Sequence, residues 1–268
     1  MARIVPAVAR ALDILEAFLG DGGPWAVPDL AARLALPRSS VHELVRTLLA
    51  RGYLHAREDH PNEFVLGLRV FELGSTYAAG LDLPREGHQA ARAVSAACNE
   101  TVHVAVLDHT EVVYIAKVDS TQTVRMVSAV GRRLPAHCTA VGKMLLAGLA
   151  DHAVVARYAG AKHLPAMTPN SIARLAHLRR ELVVIRARGV AFDDCESNAD
   201  VRCVAAPVFD REGQTIAAIS ISAPVMRMQP RRRAELAALV KRGAEDLSRR
   251  LGARPRPHPP VTKTGGWG

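Results

Sequence analysis

The first apolar residues fall at Val8, Ala11, Leu12, Leu15, Phe18 and Leu19, a helical spacing that the run Gly20-Asp21-Gly22-Gly23-Pro24 ends. Pro28 suits the first turn of a second, short helix, with Leu30 and Leu34 on one face and a break at Leu36-Pro37. Val41, Leu44, Val45 and Leu48 make the i, i+3, i+4, i+7 stripe of a third helix over about 38–50, closed by Gly52. Ser40 with Glu43 fits a capping box at its start, and Ser39 is an equally good cap. Two short β-like runs follow, Tyr53–Ala56 and Phe64–Leu66, joined by a polar turn from Arg57 to Glu63. Three helices and a hairpin in this order predict a winged helix-turn-helix. A further helix at about 68–81 leads out of it.

Beyond it the periods alternate. Residues 84–99 read as helix. Thr101–Leu107 and Val112–Val118 read as paired strands across a short turn, and Val124–Val127 as another strand. Thr139–Leu149 and Ser171–Arg188 read as helices. Ala191–Asp193, Val201–Phe209 and Thr215–Ser222 read as strands, and 230–252 as a basic amphipathic helix. One sheet with helices packed on it predicts an α+β fold. The expected division is a DNA-binding domain at 1–67, a linker helix at 68–84, a sensor domain at 85–252 and a disordered Pro- and Gly-rich tail at 253–268.

Composition narrows the class. Apolar residues make up 49% of the 268, enough for a core in each domain. No apolar run approaches a membrane span and the N-terminus has no signal-peptide pattern, so a cytoplasmic protein with no membrane partner is expected. Cys98, Cys138, Cys195 and Cys203 are irregularly spaced, which suits free thiols. The net charge of +9 suggests nucleic acid, but its distribution does not place that partner. Residues 1–80 hold eight Arg and no Lys against nine acidic residues, and the excess lies beyond them. Local pattern must therefore carry the DNA argument.

With its apolar stripe turned inward, the third helix presents Ser39, His42, Glu43 and Arg46, flanked by Ser40 and preceded by Arg38. The second helix of a helix-turn-helix enters the major groove with its N-terminal half. There Arg can pair with guanine, and serine hydroxyls and amides can hold phosphate. The wing is unusual in carrying Glu58, Asp59 and Glu63, with Arg57 and Asn62 as its only plausible contacts. It is expected to add little affinity, so Arg57 should matter less than Arg46.

These stretches resemble the IclR family of bacterial regulators over about Val8 to Leu251. The motifs are Ala11-Leu12-Asp13-Ile14-Leu15, Leu36-Pro37-Arg38-Ser39-Ser40-Val41-His42, Leu66-Gly67-Leu68-Arg69, Val113-Tyr114-Ile115, Gly131-Arg132-Arg133-Leu134-Pro135-Ala136-His137, Gly142-Lys143 and the run Val201–Phe209. The resemblance implies a GAF- or profilin-like α+β effector-binding domain behind the winged helix. It also implies a homodimer, often a dimer of dimers, on a palindromic operator, and a small effector in the C-terminal domain. Neither a cofactor nor a metal is expected, and the chain is read as a repressor and not an enzyme.

Thr139-Ala140-Val141, after Pro135 and His137, opens a predicted helix whose amides suit a carboxylate. Carried over from family members that bind organic acids, the pocket maps to Thr123, Met126, His137, Ala140, Val141, Asp193, Cys203, Ser220 and Ser222. Ser220 and Ser222 share a strand face, with Cys203 on a predicted partner strand. A carboxylate would be repelled by an ionised Asp193. That residue must therefore accept a hydroxyl from the ligand, be protonated or face away. A hydroxylated aromatic acid, or a small hydroxy or oxo acid, is the expected effector. Two alternatives remain: a hydrolase using Cys203, His137 and Asp193, and a zinc site from His137, Cys138, Cys195 and Cys203. Cys203 in mid-strand is a poor nucleophile position, and the spacing is unlike a structural zinc motif.

Overall fold

The structure, a computed structural model, describes residues 4–19, 23–79, 82–124, 128–161 and 163–253. The chain forms two compact units, divided between 81 and 82.

In the first unit, α1 (Pro6–Glu16) starts on a proline, which has no amide to leave unpaired. It ends before Leu19, since 17–19 form a turn. β1 (Trp25–Ala26) runs into α2 (Val27–Leu34), where Asp29 accepts from the Ala26 amide at 3.3 Å. After a left-handed Ala35, α3 (Arg38–Ala50) begins directly behind Pro37. The expected serine cap is not formed: the helix starts earlier, placing Ser39 and Ser40 inside its first turn, and Pro37 is the cap residue without a side-chain bond. Gly52, at φ +75°, ends the helix. β2 (Leu54–Ala56) and β3 (Glu63–Leu66) form the wing, and β1 adds to β3 through Trp25 opposite Phe64. Two residues are too short to show a period, so β1 escaped the pattern. Ile14, Leu30, Val41, Val45 and Leu54 fill the core. The exit helix is α4 (Leu68–Ala79).

The second unit starts with α5 (Asp82–Cys98). Then come β4 (Thr101–Asp108), β5 (Glu111–Val118), β6 (Arg133–Pro135), a 3-10 turn at Ala136–Cys138, α6 (Ala140–Ala147) and α7 (Asp151–Arg157). The chain continues through α8 (Leu175–Arg188), β7 (Ala191–Asp194), β8 (Val201–Phe209), β9 (Thr215–Pro224) and α9 (Pro230–Arg250). The strands make one antiparallel sheet in the order β6-β5-β4-β9-β8-β7. One face packs on α6 and α8 through Leu146, Leu178, Leu182 and Ile185. The other packs on α5 and α9 through Val94, Ile219, Leu236 and Val240.

Three differences from the periodicity have local causes. α8 starts four residues later than expected, because the Ser171 hydroxyl accepts from the Met167 and Thr168 amides and donates to the Glu196 carbonyl, holding a turn. β6 and α7 were not expected, and both are short. Of the strand expected at 124–127, Val124 lies exposed in a bend and 125–127 fall outside the described residues. The expected tail beyond 253 also lies outside them.

Candidate functional site

The α3 stripe is buried as its spacing requires. Val41 and Val45 are sealed in the core, whereas Arg38, Ser39, His42, Glu43 and Arg46 are exposed and Ser40 is half-buried. Among the described residues neither Arg38 nor Arg46 has an ion-pair partner, so both guanidiniums are available to DNA. Arg57 differs. Its Nε and Nη2 donate to Asp59 at 3.0 and 2.5 Å and its Nη1 to Glu63 at 3.0 Å. The pair with Asp59 raises the arginine and lowers the carboxylate from their ordinary values. The wing arginine is thus neutralised by its own loop.

In the second unit, pairing registers bring four candidate residues onto one sheet face. Asp193 lies opposite Cys203, Cys203 opposite Ser222 and Ser222 opposite Thr101, while Ser220 lies opposite His103. All six side chains are buried. Above this face stands the start of α6. Of its first amides, that of Gly142 donates to the Thr139 hydroxyl at 3.1 Å and that of Lys143 to the Thr139 carbonyl at 2.9 Å. The Ala140 and Val141 amides come first and lie too early in the helix for an intrahelical acceptor.

Asp193 shares this face with Cys203, and its carboxylate is already engaged. Its Oδ1 accepts from the Glu196 amide at 2.6 Å and the Ser197 amide at 3.4 Å, and its Oδ2 from the Ser197 hydroxyl at 2.6 Å. Burial raises its pKa against these donors, but the carboxylate serves the 194–197 turn. Next to it, Lys143 and Glu196 form a buried ion pair. Burial raises Glu196 while the ammonium lowers it, and its second oxygen lacks a donor.

Sequence reasoning missed four members of this region: His103, Tyr114, Lys143 and Glu196. His103 Nε2 lies 2.6 Å from the Ser128 hydroxyl, its Nδ1 lies 3.5 Å from that of Ser222, and its ring stacks tilted on Tyr114 at 4.6 Å. Burial, assisted by the Lys117 charge, lowers its pKa to about 3, so the ring is neutral. A signal existed for Lys143, since a lysine inside the apolar run Ala140–Ala147 demands a buried partner. That partner is 53 positions away and was not readable.

The other candidates are less central. His137 Nε2 is 2.8 Å from the Pro165 carbonyl and its ring meets Tyr158 edge-on, so its contacts lead away from the strip. Thr123 is exposed, and Met126 lies outside the described residues. Burial pushes the Cys203 thiol well above its ordinary value, the reverse of what a nucleophile needs. No group of three or more His, Cys, Asp or Glu among the described residues is disposed to hold a metal. None of the described helices is long and apolar enough to cross a membrane.

A winged helix with an open arginine face, followed by a buried polar site in an α+β unit, defines a DNA-binding transcription regulator with a sensor domain. The helix-turn-helix model of the IclR family matches residues 7–58, and that of the C-terminal part of the bacterial transcriptional regulator IclR matches 75–249. The chain belongs to the IclR family. It is 34% identical to the transcriptional regulator KdgR of Dickeya chrysanthemi over 92% of this chain and 80% of that protein. With the transcriptional repressor IclR of Escherichia coli the identity is 32%, over 91% of this chain and 89% of that one. Among solved structures, Thermotoga maritima IclR aligns at a TM-score of 0.74 and 30% identity, covering 92% of this chain and 99% of that one. An IclR homologue from Microbacterium hydrocarbonoxydans, complexed with 4-hydroxybenzoate, aligns at 0.81 and 26%, covering 91% and 98%.

Proposed function

We propose that the protein is a repressor that binds a palindromic operator and changes its affinity for it on binding a small organic acid. The observation that carries this reading is the α6 start. Two buried amides without intrahelical acceptors face a polar strip made by Cys203, Ser220, Ser222 and His103, an arrangement suited to a carboxylate with a second oxygen. A hydroxylated aromatic acid fits that description, and the homologue complexed with 4-hydroxybenzoate favours it. Because Asp193 is engaged by its own turn, the ligand's second oxygen meets hydroxyls and imidazole, not a free carboxylate.

A homodimer, or a dimer of dimers, would double the recognition-helix contacts. Supporting it, the first unit exposes Leu12, Leu68 and Phe71 and has an open groove of about 780 Å³ lined by Leu49, Leu54, Val65, Leu68, Val70 and Phe71. Analytical ultracentrifugation returning only monomer at micromolar concentration would refute that arrangement. The effector reading is tested by a thermal-shift screen of aliphatic and aromatic acids, then by operator binding with and without each hit. Acids that raise the melting temperature and change operator affinity are expected. Stabilisation by neutral apolar compounds alone would overturn the reading.

A further inference from the structure

We infer that Tyr158 and His137 form a subsite for a hydroxyl group of the effector, an assignment that rests on the organic-acid reading above. Among the described residues four buried side-chain nitrogen or oxygen atoms lack a hydrogen-bond partner, and two of them are the Tyr158 hydroxyl and His137 Nδ1. The two residues are 5% and 2% exposed, and their rings pack edge-on with centroids 6.1 Å apart. One such atom is uncommon and costly. Two on neighbouring rings call for a shared partner. No motif marked Tyr158, which follows α7.

The chemistry of the two atoms selects the group between them. His137 Nε2 lies 2.8 Å from the Pro165 carbonyl, which can only accept, so Nε2 carries the proton. Burial and the Lys143 charge lower the pKa of the ring and keep it neutral, which leaves Nδ1 as an acceptor. Burial raises the Tyr158 phenol, so it stays protonated and donates. A hydroxyl satisfies both, giving its proton to Nδ1 and accepting from the phenol. An oxo group would leave Nδ1 unpaired, an ammonium would leave the phenol unpaired, and a carboxylate would face the Nδ1 lone pair. His137 sits in the 3-10 turn directly ahead of Thr139, the cap of α6, so the subsite borders the helix start that suits the carboxylate. The effector class is therefore an acid with a hydroxyl beyond the oxygen taken by the strip.

The test compares 4-hydroxybenzoate with 3,4-dihydroxybenzoate, and lactate with glycerate, by calorimetry on the full chain. In the parent the dihydroxy acid of at least one pair should bind about tenfold more tightly. Tyr158→Phe removes only the hydroxyl. His137→Gln keeps a donor for the Pro165 carbonyl and removes the Nδ1 acceptor. In both variants the preference should fall to within about twofold, with the monohydroxy acid bound as in the parent. The ligand-free melting temperature of Tyr158→Phe should stay equal or rise, because an unpaired hydroxyl has gone. A preference that survives in either variant, or a ligand-free melting temperature that drops in Tyr158→Phe, overturns the inference. Equal binding within each pair in the parent means that water alone fills the gap, which overturns it and leaves the organic-acid reading standing. If none of the four acids binds the parent, the organic-acid reading itself fails and this assignment falls with it.

Discussion

Gly142 is the third residue of α6, and the start of that helix depends on it having no side chain. A Cβ built there lies 2.2 Å from the Ala136 carbonyl oxygen, 2.4 Å from its Cα and 2.6 Å from its carbonyl carbon. Ordinary contacts begin at 3.4 Å, so Gly142→Ala must force two backbone segments apart by more than 1 Å. No side-chain rotation relieves this, since every atom struck is main chain. Overpacking costs about 1–3 kcal/mol where neighbours can shift, and a backbone clash belongs at the upper end. For a unit of this size that lowers the melting temperature by about 6–12 °C. The displacement also pulls the Gly142 amide from the Thr139 hydroxyl, 3.1 Å away, and so disturbs the Ala140 and Val141 amides. Differential scanning calorimetry measures the stability change, and calorimetric titration with the best acid measures binding. If the two units melt separately, only the transition of the second should move. Gly74→Ala is the control: nothing lies within 4 Å of its built Cβ inside α4, so it should gain up to about 1 kcal/mol. A Gly142→Ala protein within about 0.5 kcal/mol of the parent would refute the close-packing argument.

The remaining predictions concern DNA and acid. Arg46→Ala should weaken operator binding about tenfold or more, and Arg57→Ala by less than threefold, because Arg57 is already paired within the wing. Gel-shift titrations at one fixed salt concentration decide it, and a larger loss at Arg57 would reverse the assignment. Unfolded, His103 protonates near 6.5, but folded it stays neutral to about 3. Its contribution to stability, present above 6.5, is therefore lost as the pH falls toward 3, by about 2 kcal/mol between pH 7 and pH 5. Asp193 and Glu196, raised by burial, act in the opposite sense, so the readout is the difference from His103→Gln. That variant should flatten the acid limb of a melting-temperature profile, and an unchanged limb would sink the argument.

Much of the fold was legible because burial imposes a period. The stripe Val41, Leu44, Val45 and Leu48 could bury only as a helix, and turning it inward exposes Arg38 and Arg46 by geometry alone. The alternation of Val102, Val104 and Val106 likewise gave a strand, and the spacing of Ser220 and Ser222 put both on one face. Short elements such as β1 and α7 span too few residues to repeat a pattern. Serine positions were ambiguous for another reason: a hydroxyl caps whichever amides the backbone brings, so Ser171 held a turn and Ser39 capped nothing.

By itself, the sequence determined the order of elements, the face of the reading helix, and the family through its motifs. Partnerships between distant residues were decided only by the tertiary structure. Strand register set Asp193 against Cys203 and Ser222, and His103 beside Ser220. Folding then closed Lys143 onto Glu196 and engaged the Asp193 carboxylate with the Glu196 amide and the Ser197 hydroxyl of its own turn. The physical reason is that hydrophobic burial is summed along a local period, whereas a hydrogen bond or ion pair depends on two atoms meeting within about 3 Å. Local sequence carries the first kind of information and only the packed sheet supplies the second.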